Sequence, residues 1–352
     1  MKILVTGGAG YIGSILVPDL IKDGHEVVVV DKLTFGNNLK GVTGFKLYER
    51  DVLDIDPSWL EGMDAVVHLA GLSNDPMANF RPRDNFVYNN AVTALLVYLC
   101  KQKKVKRFIF GSTCSIYGYS AVKNMVESDP VCPSFPYGIS KMQAEYCINS
   151  ATDDSFRPII FRQATVYGWA PRMRFDLVVN TMTKYGVRNG QITVNNPDLQ
   201  RPLIHIKDLS KAYLLALRAP LDVVGTFNIA RKNYTILEIA QEVHEALSNK
   251  GYENKLKINH EEDMRNYRVN IEKSEKIFGF NPQIDIKFAV DEILDKMGSK
   301  DNPDWENKWY INAEVYKAKV LAEEELWHQY LGDNHKGKID FDWPEFWPQE
   351  GP

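Results

Sequence analysis

"KILVTGGAGYIGSIL", residues 2–16, is an apolar strand that runs into a glycine-rich turn and then a helix pattern. Gly7, Gly10 and Gly13 follow a G-x-x-G-x-x-G spacing. Glycines at such a turn let the backbone approach a pyrophosphate closely. The helix start beyond it supplies unpaired N–H groups and the positive end of a dipole. A strand before and a helix after are the context the motif requires. A second strand, "EVVVVD" (26–31), ends in Asp31. An acidic side chain there accepts hydrogen bonds from adenosine ribose hydroxyls and repels a 2′-phosphate, which favours NAD over NADP. The plainer alternative is that Asp31 only solvates a strand end.

Working outward, the alternation continues. "FKLYERDV" (45–52) reads as a strand ending at Asp51 and Val52, and "DAVVHLAG" (64–71) as another ending near Gly71. "RDNFVYNNAVTALLVYLCKQ" (83–102) has helical spacing, and "VKRFIFGSTCSIYG" (105–118) is a further buried strand. Short Val/Ile-rich runs separated by helices imply right-handed crossovers and an α/β fold, a Rossmann-type doubly wound parallel sheet. Ligands of such sheets sit at the carboxyl ends of strands. Gly7, Asp31, Asp51, Leu69, Ala70, Gly71, Ser112 and Thr113 all occupy strand ends.

The bulk numbers agree with a soluble globular protein. In 352 residues, 44% are hydrophobic and 25% charged, enough to build a real core. No apolar run approaches the roughly 20 residues that cross a bilayer, so no membrane association is expected. The chain opens directly on a strand, so no signal peptide is expected. Four cysteines (Cys100, Cys114, Cys132, Cys147) lack metal-type spacing, so no metal site is read and reduced thiols in the cytoplasm are expected. A formal charge of −4 gives no support for nucleic-acid binding.

"YGISK" (137–141) follows a proline that can start a helix. Tyr137 and Lys141 then share a face, one turn apart. A lysine ammonium beside a phenol favours the phenolate, and an oxidised nicotinamide nearby favours it further. A phenol moved from about 10 toward neutrality can take the proton of a sugar hydroxyl while the hydride leaves to the cofactor. Thr113 could share that proton.

At this point the chain resembles the extended short-chain dehydrogenase/reductase family, and within it the nucleotide-sugar epimerase and dehydratase group. The resemblance covers roughly residues 1–295. It rests on "TGGAGYIGS", "DKLTFGN", "RDVLD", "HLAGLS", "NNAVTALL", "GSTCSIYG", "YGISKMQAE", "QRPLIHIKDL", "GTFNIA" and "FGFNP". It implies a catalytic Thr113, Tyr137 and Lys141. It also implies NAD contacts at Gly7, Gly10, Tyr11, Ile12, Gly13, Asp31, Asp51, Val52, Leu69, Ala70 and Gly71, with Asn90 and Ser112 near the cofactor.

The resemblance also frames the reaction. The family's 4,6-dehydratases carry Asp-Glu straight after the threonine; here Cys114 and Ser115 stand there, and a thiol and a hydroxyl do not replace two tuned carboxylates. Family members that epimerise C3 and C5 place a cysteine at the position of Ser115. Cys114 is one residue earlier, either a packed thiol or an acid in another geometry. What remains is oxidation of one sugar carbon by NAD and return of the hydride, giving a 4-epimer if the keto intermediate turns over in the pocket. If that intermediate exchanges with solution, the same residues make a 4-dehydrogenase or ketoreductase. A non-catalytic dinucleotide sensor is the more distant alternative.

The second half is less regular. Residues 1–170 are expected to form the NAD domain, with 203–232 returning to it. Residues 171–300 are read as a smaller interleaved substrate lobe, and 301–352 as a Trp-rich extension. Arg172 and Arg174 precede a helix containing Asn180, and arginines at a helix start suit a diphosphate. Arg201 matches a family arginine on the nucleotide's phosphates, and Arg265, with Arg268 competing, one near the second phosphate or ribose. Ser73 and Thr113 complete the expected substrate set. His205 is read as structural. Five of the seven tryptophans lie in the extension (Trp305, Trp309, Trp327, Trp343, Trp347). It either drapes over the parent domain, reaches a partner subunit or covers the sugar pocket. In relatives the helices at about 88–103 and 137–152 pair across a dimer, so a homodimer is expected.

Overall fold

The computed structural model describes residues 1–260 and 266–331, without the side chains of 121–122 and 326–331. Seven strands form the main sheet: β1 (Lys2–Thr6), β2 (Glu26–Asp31), β3 (Phe45–Glu49), β4 (Ala65–His68), β5 (Arg107–Thr113), β6 (Arg157–Gln163) and β7 (Gly225–Ile229). Their order is β7-β6-β5-β4-β1-β2-β3, and every neighbouring pair is parallel. The doubly wound parallel sheet read from the alternation is therefore present. β1 lies between β2 and β4, so chain order reverses there and a crevice opens above its carboxyl end. Register brings the ends level: Thr6 stands opposite Val30 on one side and His68 on the other.

Eight helices have ten or more residues among the described residues: α1 (Gly13–Lys22), α2 (Val92–Gln102), α3 (Pro136–Ser150), α4 (Val178–Asn189), α5 (Ile206–Arg218), α6 (Ile236–Asn249), α7 (Ile286–Met297) and α8 (Asn312–Leu331). Alternate strand residues feed opposite faces. Ile3, Val5, Val27 and Val29 pack against α1 and α5. Leu4, Val28 and Val30 pack into the core of α2 and α3. Each such fully buried aliphatic side chain contributes about 1.5–3 kcal/mol, which is why the strands read as unbroken apolar runs.

A second core gathers α4, α6 and α7 around Tyr167, Met173 and Phe175. Trp305 is fully buried there, stacked on Phe175 with ring centroids 5.6 Å apart. A three-stranded sheet (Thr165–Tyr167, Gln200–His205, Lys232–Thr235) borders it. His205 caps α5, its Nδ1 accepting from the Lys207 N–H at 3.2 Å.

The helical stretch read over 83–102 is less regular than its spacing. Pro82–Phe86 is followed by one wide, π-type turn at Val87–Ala91 and then α2. Such turns are rare and frequent at functional sites, and this one carries Asn89, fully buried.

Candidate active site

A cleft of about 390 Å³ lies over the carboxyl ends of β1, β2, β4, β5 and β6. Its first wall is the turn after β1. Gly7 holds φ at +71°, and a Cβ there would stand 2.6 Å from the Ala70 backbone nitrogen, so no larger residue fits. Gly10, Tyr11, Ile12 and Gly13 complete this wall. Ile12 at the N-cap of α1 offers no side-chain hydrogen bond, which leaves the helix start open to an anion. The Tyr11 hydroxyl donates to the Gly168 carbonyl at 2.7 Å and so ties the turn to the second core.

Asp31 ends β2 inside the cleft. Its carboxylate accepts from the Ala9 N–H at 2.9 Å and the Leu33 N–H at 2.7 Å. Burial raises its pKa against those two hydrogen bonds. Asn38, which the sequence reading passed over, donates to the Ala9, Phe35 and Gly36 carbonyls and pins the following loop to the glycine turn. Asp51 and Val52 lie beyond, with Tyr88 donating to Asp51 at 2.7 Å. Leu69, Ala70 and Gly71 form the floor, and Ser73 lies just past them.

Opposite stand Ser112, Thr113 and Tyr137. Pro136 is the first residue of α3, where its fixed φ suits a helix and no N–H is missed. Tyr137 is thus presented from the first turn into the cleft that Thr113 also lines. Thr113 donates to Ser115 Oγ at 3.1 Å, and Ser115 Oγ lies 3.2 Å from the Tyr267 hydroxyl. Tyr267, passed over in the sequence in favour of the arginines on either side of it, lines the same cleft.

The electrostatics correct one expectation. Burial pushes the Tyr137 phenol up to about 12, with the Arg174 charge and the Thr113 side chain acting to lower it. The sequence reading weighed the lysine one turn away and could not weigh desolvation. Lys141 is itself buried beneath the floor, where Nζ donates to the Gly111 carbonyl at 3.0 Å and lies 4.6 Å from the centre of the Phe110 ring. Burial pushes its ammonium down to about 8, and Glu145 opposes this. Glu145 is one turn further along α3, so Tyr137, Lys141 and Glu145 recur at every fourth residue, a signal present in the sequence and not used. Its carboxylate accepts from Ser112 Oγ at 2.5 Å, from Arg162 Nε through both oxygens, and from Arg162 Nη2.

The sequence profile of the NAD dependent epimerase/dehydratase family matches residues 3–230. The chain belongs to that family. It is accordingly an NAD-dependent enzyme of the extended short-chain dehydrogenase/reductase type. The UDP-glucose 4-epimerase of Corynebacterium glutamicum is 32% identical over 238 residues, spanning 62% of this chain and 71% of its own. The dTDP-D-glucose 4,6-dehydratase of Bos taurus is 26% identical over 317 residues, or 84% of this chain and 88% of its own. Among solved structures, the UDP-glucuronic acid 4-epimerase of Bacillus cereus, in complex with UDP-glucuronic acid and NAD, superposes with a TM-score of 0.74. It is 26% identical and covers 84% of this chain and 98% of its own.

For this member of the epimerase/dehydratase family, the cleft gathers some expected substrate residues and not others. Arg172 and Arg174 line it. Arg174 pairs with Asp176 through Nε at 2.9 Å and Nη2 at 3.0 Å. Asn180 does not line it: fully buried, it donates to the Tyr11 hydroxyl at 3.2 Å and the Arg174 carbonyl at 2.9 Å and accepts from the Gly168 N–H. Arg201 packs over the Tyr267 ring at 5.6 Å, behind the cleft wall. Arg265 lies outside the described residues. Asn90 faces away, its amide meeting Gln143 at 3.2 Å. The wide turn puts Asn89 beneath the floor instead, with Oδ1 only 2.3 Å from where a Cβ on Gly71 would be. Cys114 packs inward, donating to the Arg162 carbonyl at 3.1 Å, its thiol pKa pushed up by burial.

Among the described residues no group of three or more His, Cys, Asp or Glu could hold a metal, and no helix is long and apolar enough to cross a membrane.

Proposed function

We propose that this enzyme is an NAD-dependent nucleotide-sugar epimerase that inverts C4 of the sugar through a transient keto-sugar held in the cleft. The observation that carries the reading is the pair Tyr137 and Thr113, lining one cleft with the glycine turn and Asp31. The turn fits NAD: Gly7 has no space for a side chain, the start of α1 is uncapped, and Asp31 keeps lone pairs for ribose hydroxyls. Gly10, Tyr11, Ile12 and Gly13 would hold the pyrophosphate, Asp31, Asp51 and Val52 the adenosine, and Leu69, Ala70, Gly71 and Ser112 the nicotinamide half. Bound there, NAD would accept the hydride and give it back.

The chain's own residues handle the proton. Tyr137 takes the proton of the sugar hydroxyl and returns it, and Thr113 holds that hydroxyl in line. With a phenol at about 12, Tyr137 rests as a proton donor, so positive charge must gather beside it before it serves as a base. Arg174 is the fixed cation whose charge acts on the phenol, while Lys141, one turn along α3, holds its ammonium beneath the floor. Ser73 and Arg174 are the substrate's anchors, with Asn180 positioning the Arg174 backbone; Arg201 and Tyr267 back the sugar half. Cys114 and Ser115 stand where the family's dehydratases carry two carboxylates, and the buried thiol favours epimerisation over dehydration.

The reading extends to assembly and place. Leu95 and Tyr98 on α2 and Tyr146 on α3 are exposed, which supports a homodimer through these helices. Four free cysteines suit the reducing cytoplasm. The second core between residues 171 and 300 would form the substrate lobe.

The test is mass spectrometry of the purified protein for bound NAD, then a panel of nucleotide sugars in heavy water with no cofactor added. A 4-epimer free of deuterium is expected. Deuterium at C3 or C5 would move the reaction to another carbon. A stoichiometric change at the nicotinamide absorbance band would make it a dehydrogenase or ketoreductase.

A further inference from the structure

Helix α8 lies wholly outside the family match of residues 3–230, yet one of its faces is a wall of the cleft. Asn312, Tyr316, Lys319, Val320 and Glu323 line it, at spacings of four, seven, eight and eleven that share one helical face. The helix is fastened at several points. The Tyr316 hydroxyl donates to Asp84 at 2.7 Å, and Arg81 pairs with Glu324. Ala313, Tyr316 and Val320 pack with Leu72 and Met77, and Phe35 and Tyr88 lean on the same cluster. Further along, Glu323 lies 3.9 Å from Lys32, which in turn lies 3.3 Å from Asp51.

These contacts choose the half of the cleft. Phe35 belongs to the loop that Asn38 ties to the glycine turn, and Tyr88 bonds Asp51. All are on the Asp31 side. The first turn of α8 then reaches the middle of the cleft. Asn312 Oδ1 accepts from Arg172 Nη2 at 2.7 Å, Asn312 Nδ2 donates to Ser73 Oγ at 2.9 Å, and its N–H donates to Asp176 at 3.3 Å. Arg172 is only 3% exposed and lies 4.7 Å over the Phe35 ring. Its hydrogen bonds go to the Met173 carbonyl and the Asn312 amide oxygen, both neutral; Asp176 is hydrogen-bonded by Arg174 and acts on Arg172 only through its charge, against that of Arg174. A buried guanidinium with neutral partners, lining a cleft, is a site for an anion.

We infer that α8 is a fixed wall of the cofactor site that retains NAD between turnovers, and that Asn312 is a positioning residue that presents Arg172 to the cofactor's diphosphate. This rests on the NAD reading of the cleft. It moves Arg172 from the substrate's phosphates, where its place before α4 suggested it, to those of the cofactor. It also gives the extension a part in the site, alongside the draping that Trp305 provides. An epimerase gains from such a wall, because the hydride must go back to the molecule that gave it.

The experiment uses the full chain loaded with NAD, desalted, and followed by chromatography of the nucleotide still bound over time. Asn312→Ala and Tyr316→Phe should each release NAD roughly tenfold faster, the size of one lost hydrogen bond to a charged or buried partner. Added NAD should restore turnover in both. Asn312→Asp separates positioning from simple fastening. A carboxylate there bonds Arg172 more tightly but neutralises it, so NAD should leave faster than from Asn312→Ala. If Asn312 only staples the helix, Asn312→Asp will hold NAD at least as well as Asn312→Ala, and the positioning role is lost. Wild-type release rates in Asn312→Ala and Tyr316→Phe overturn the wall itself. A wild-type protein that takes up no NAD at all sinks the cofactor reading, and this inference with it.

Discussion

The Glu145 carboxylate receives the Arg162 guanidinium at 3.2, 3.1 and 2.8 Å, two turns along α3 from Tyr137. Both side chains are almost fully buried. Removing one charge strands the other, so Glu145→Gln should lower unfolding stability by about 3–5 kcal/mol. Glu145 also holds the Lys141 pKa up against burial, so the variant should shift it further down and weaken turnover on the alkaline side first. Urea titration and a pH–rate profile check both. A stability loss under about 1 kcal/mol, within the range of exposed pairs, would show that the pair is not the structural support of this helix.

Tyr137→Phe keeps the ring and removes the hydroxyl from the cleft wall. Turnover should fall by about 10²–10⁴, the usual range for a lost proton-transfer group. Binding of nucleotide sugar, followed by calorimetry, should change little. Near-normal turnover would take Tyr137 out of the chemistry. Thr113→Val should fall less steeply, because it shares a proton that Tyr137 moves.

What the sequence made legible was local and periodic. The strand–turn–helix at 2–16, the Asp31 strand end and the YGISK helix start each depend on neighbours a few residues away, and all of them border the cleft. What it hid depends on distance or depth. Asn312 meets Arg172 and Ser73 across 140 and 239 residues of chain, and nothing in "INAEVYK" announces that contact. The resemblance puts Asn90 near the cofactor, yet in the wide turn it meets Gln143 while Asn89 lies against Gly71. The Tyr137 pKa went the other way because desolvation is a property of the assembled cleft and a neighbouring lysine is visible in one line of text.

Gly7→Ala tests the turn itself. The new methyl group would stand 2.6 Å from the Ala70 nitrogen and 2.9 Å from the Leu69 carbonyl carbon. These are backbone atoms of the cleft floor and cannot swing aside, and φ of +71° adds strain. The variant should lose NAD binding and melt several degrees lower. Asp31→Ala should weaken NAD less drastically and narrow its discrimination from NADP, because the 2′-phosphate then meets no carboxylate. Equilibrium titration with both nucleotides checks this, and unchanged affinity would remove the ribose assignment.

Lys141 gives the protein a pH dependence of definite sign. Its folded pKa, about 8, lies below the unfolded value of 10.5. Between these values the unfolded chain binds more protons than the folded one, so stability rises with pH across that window. Below about 8 the cost of holding a buried ammonium is fully present; above about 10.5 it is gone. Lys141→Met removes the charge and keeps much of the length. At pH 7 the variant should gain on the wild type in thermal midpoint, even though the Gly111 carbonyl loses its donor and turnover collapses. That gain should shrink steadily as pH rises through 8 toward 10. A difference in midpoint that stays flat across this range would mean Lys141 titrates as it does in water, and that the ammonium beneath the floor is hydrated.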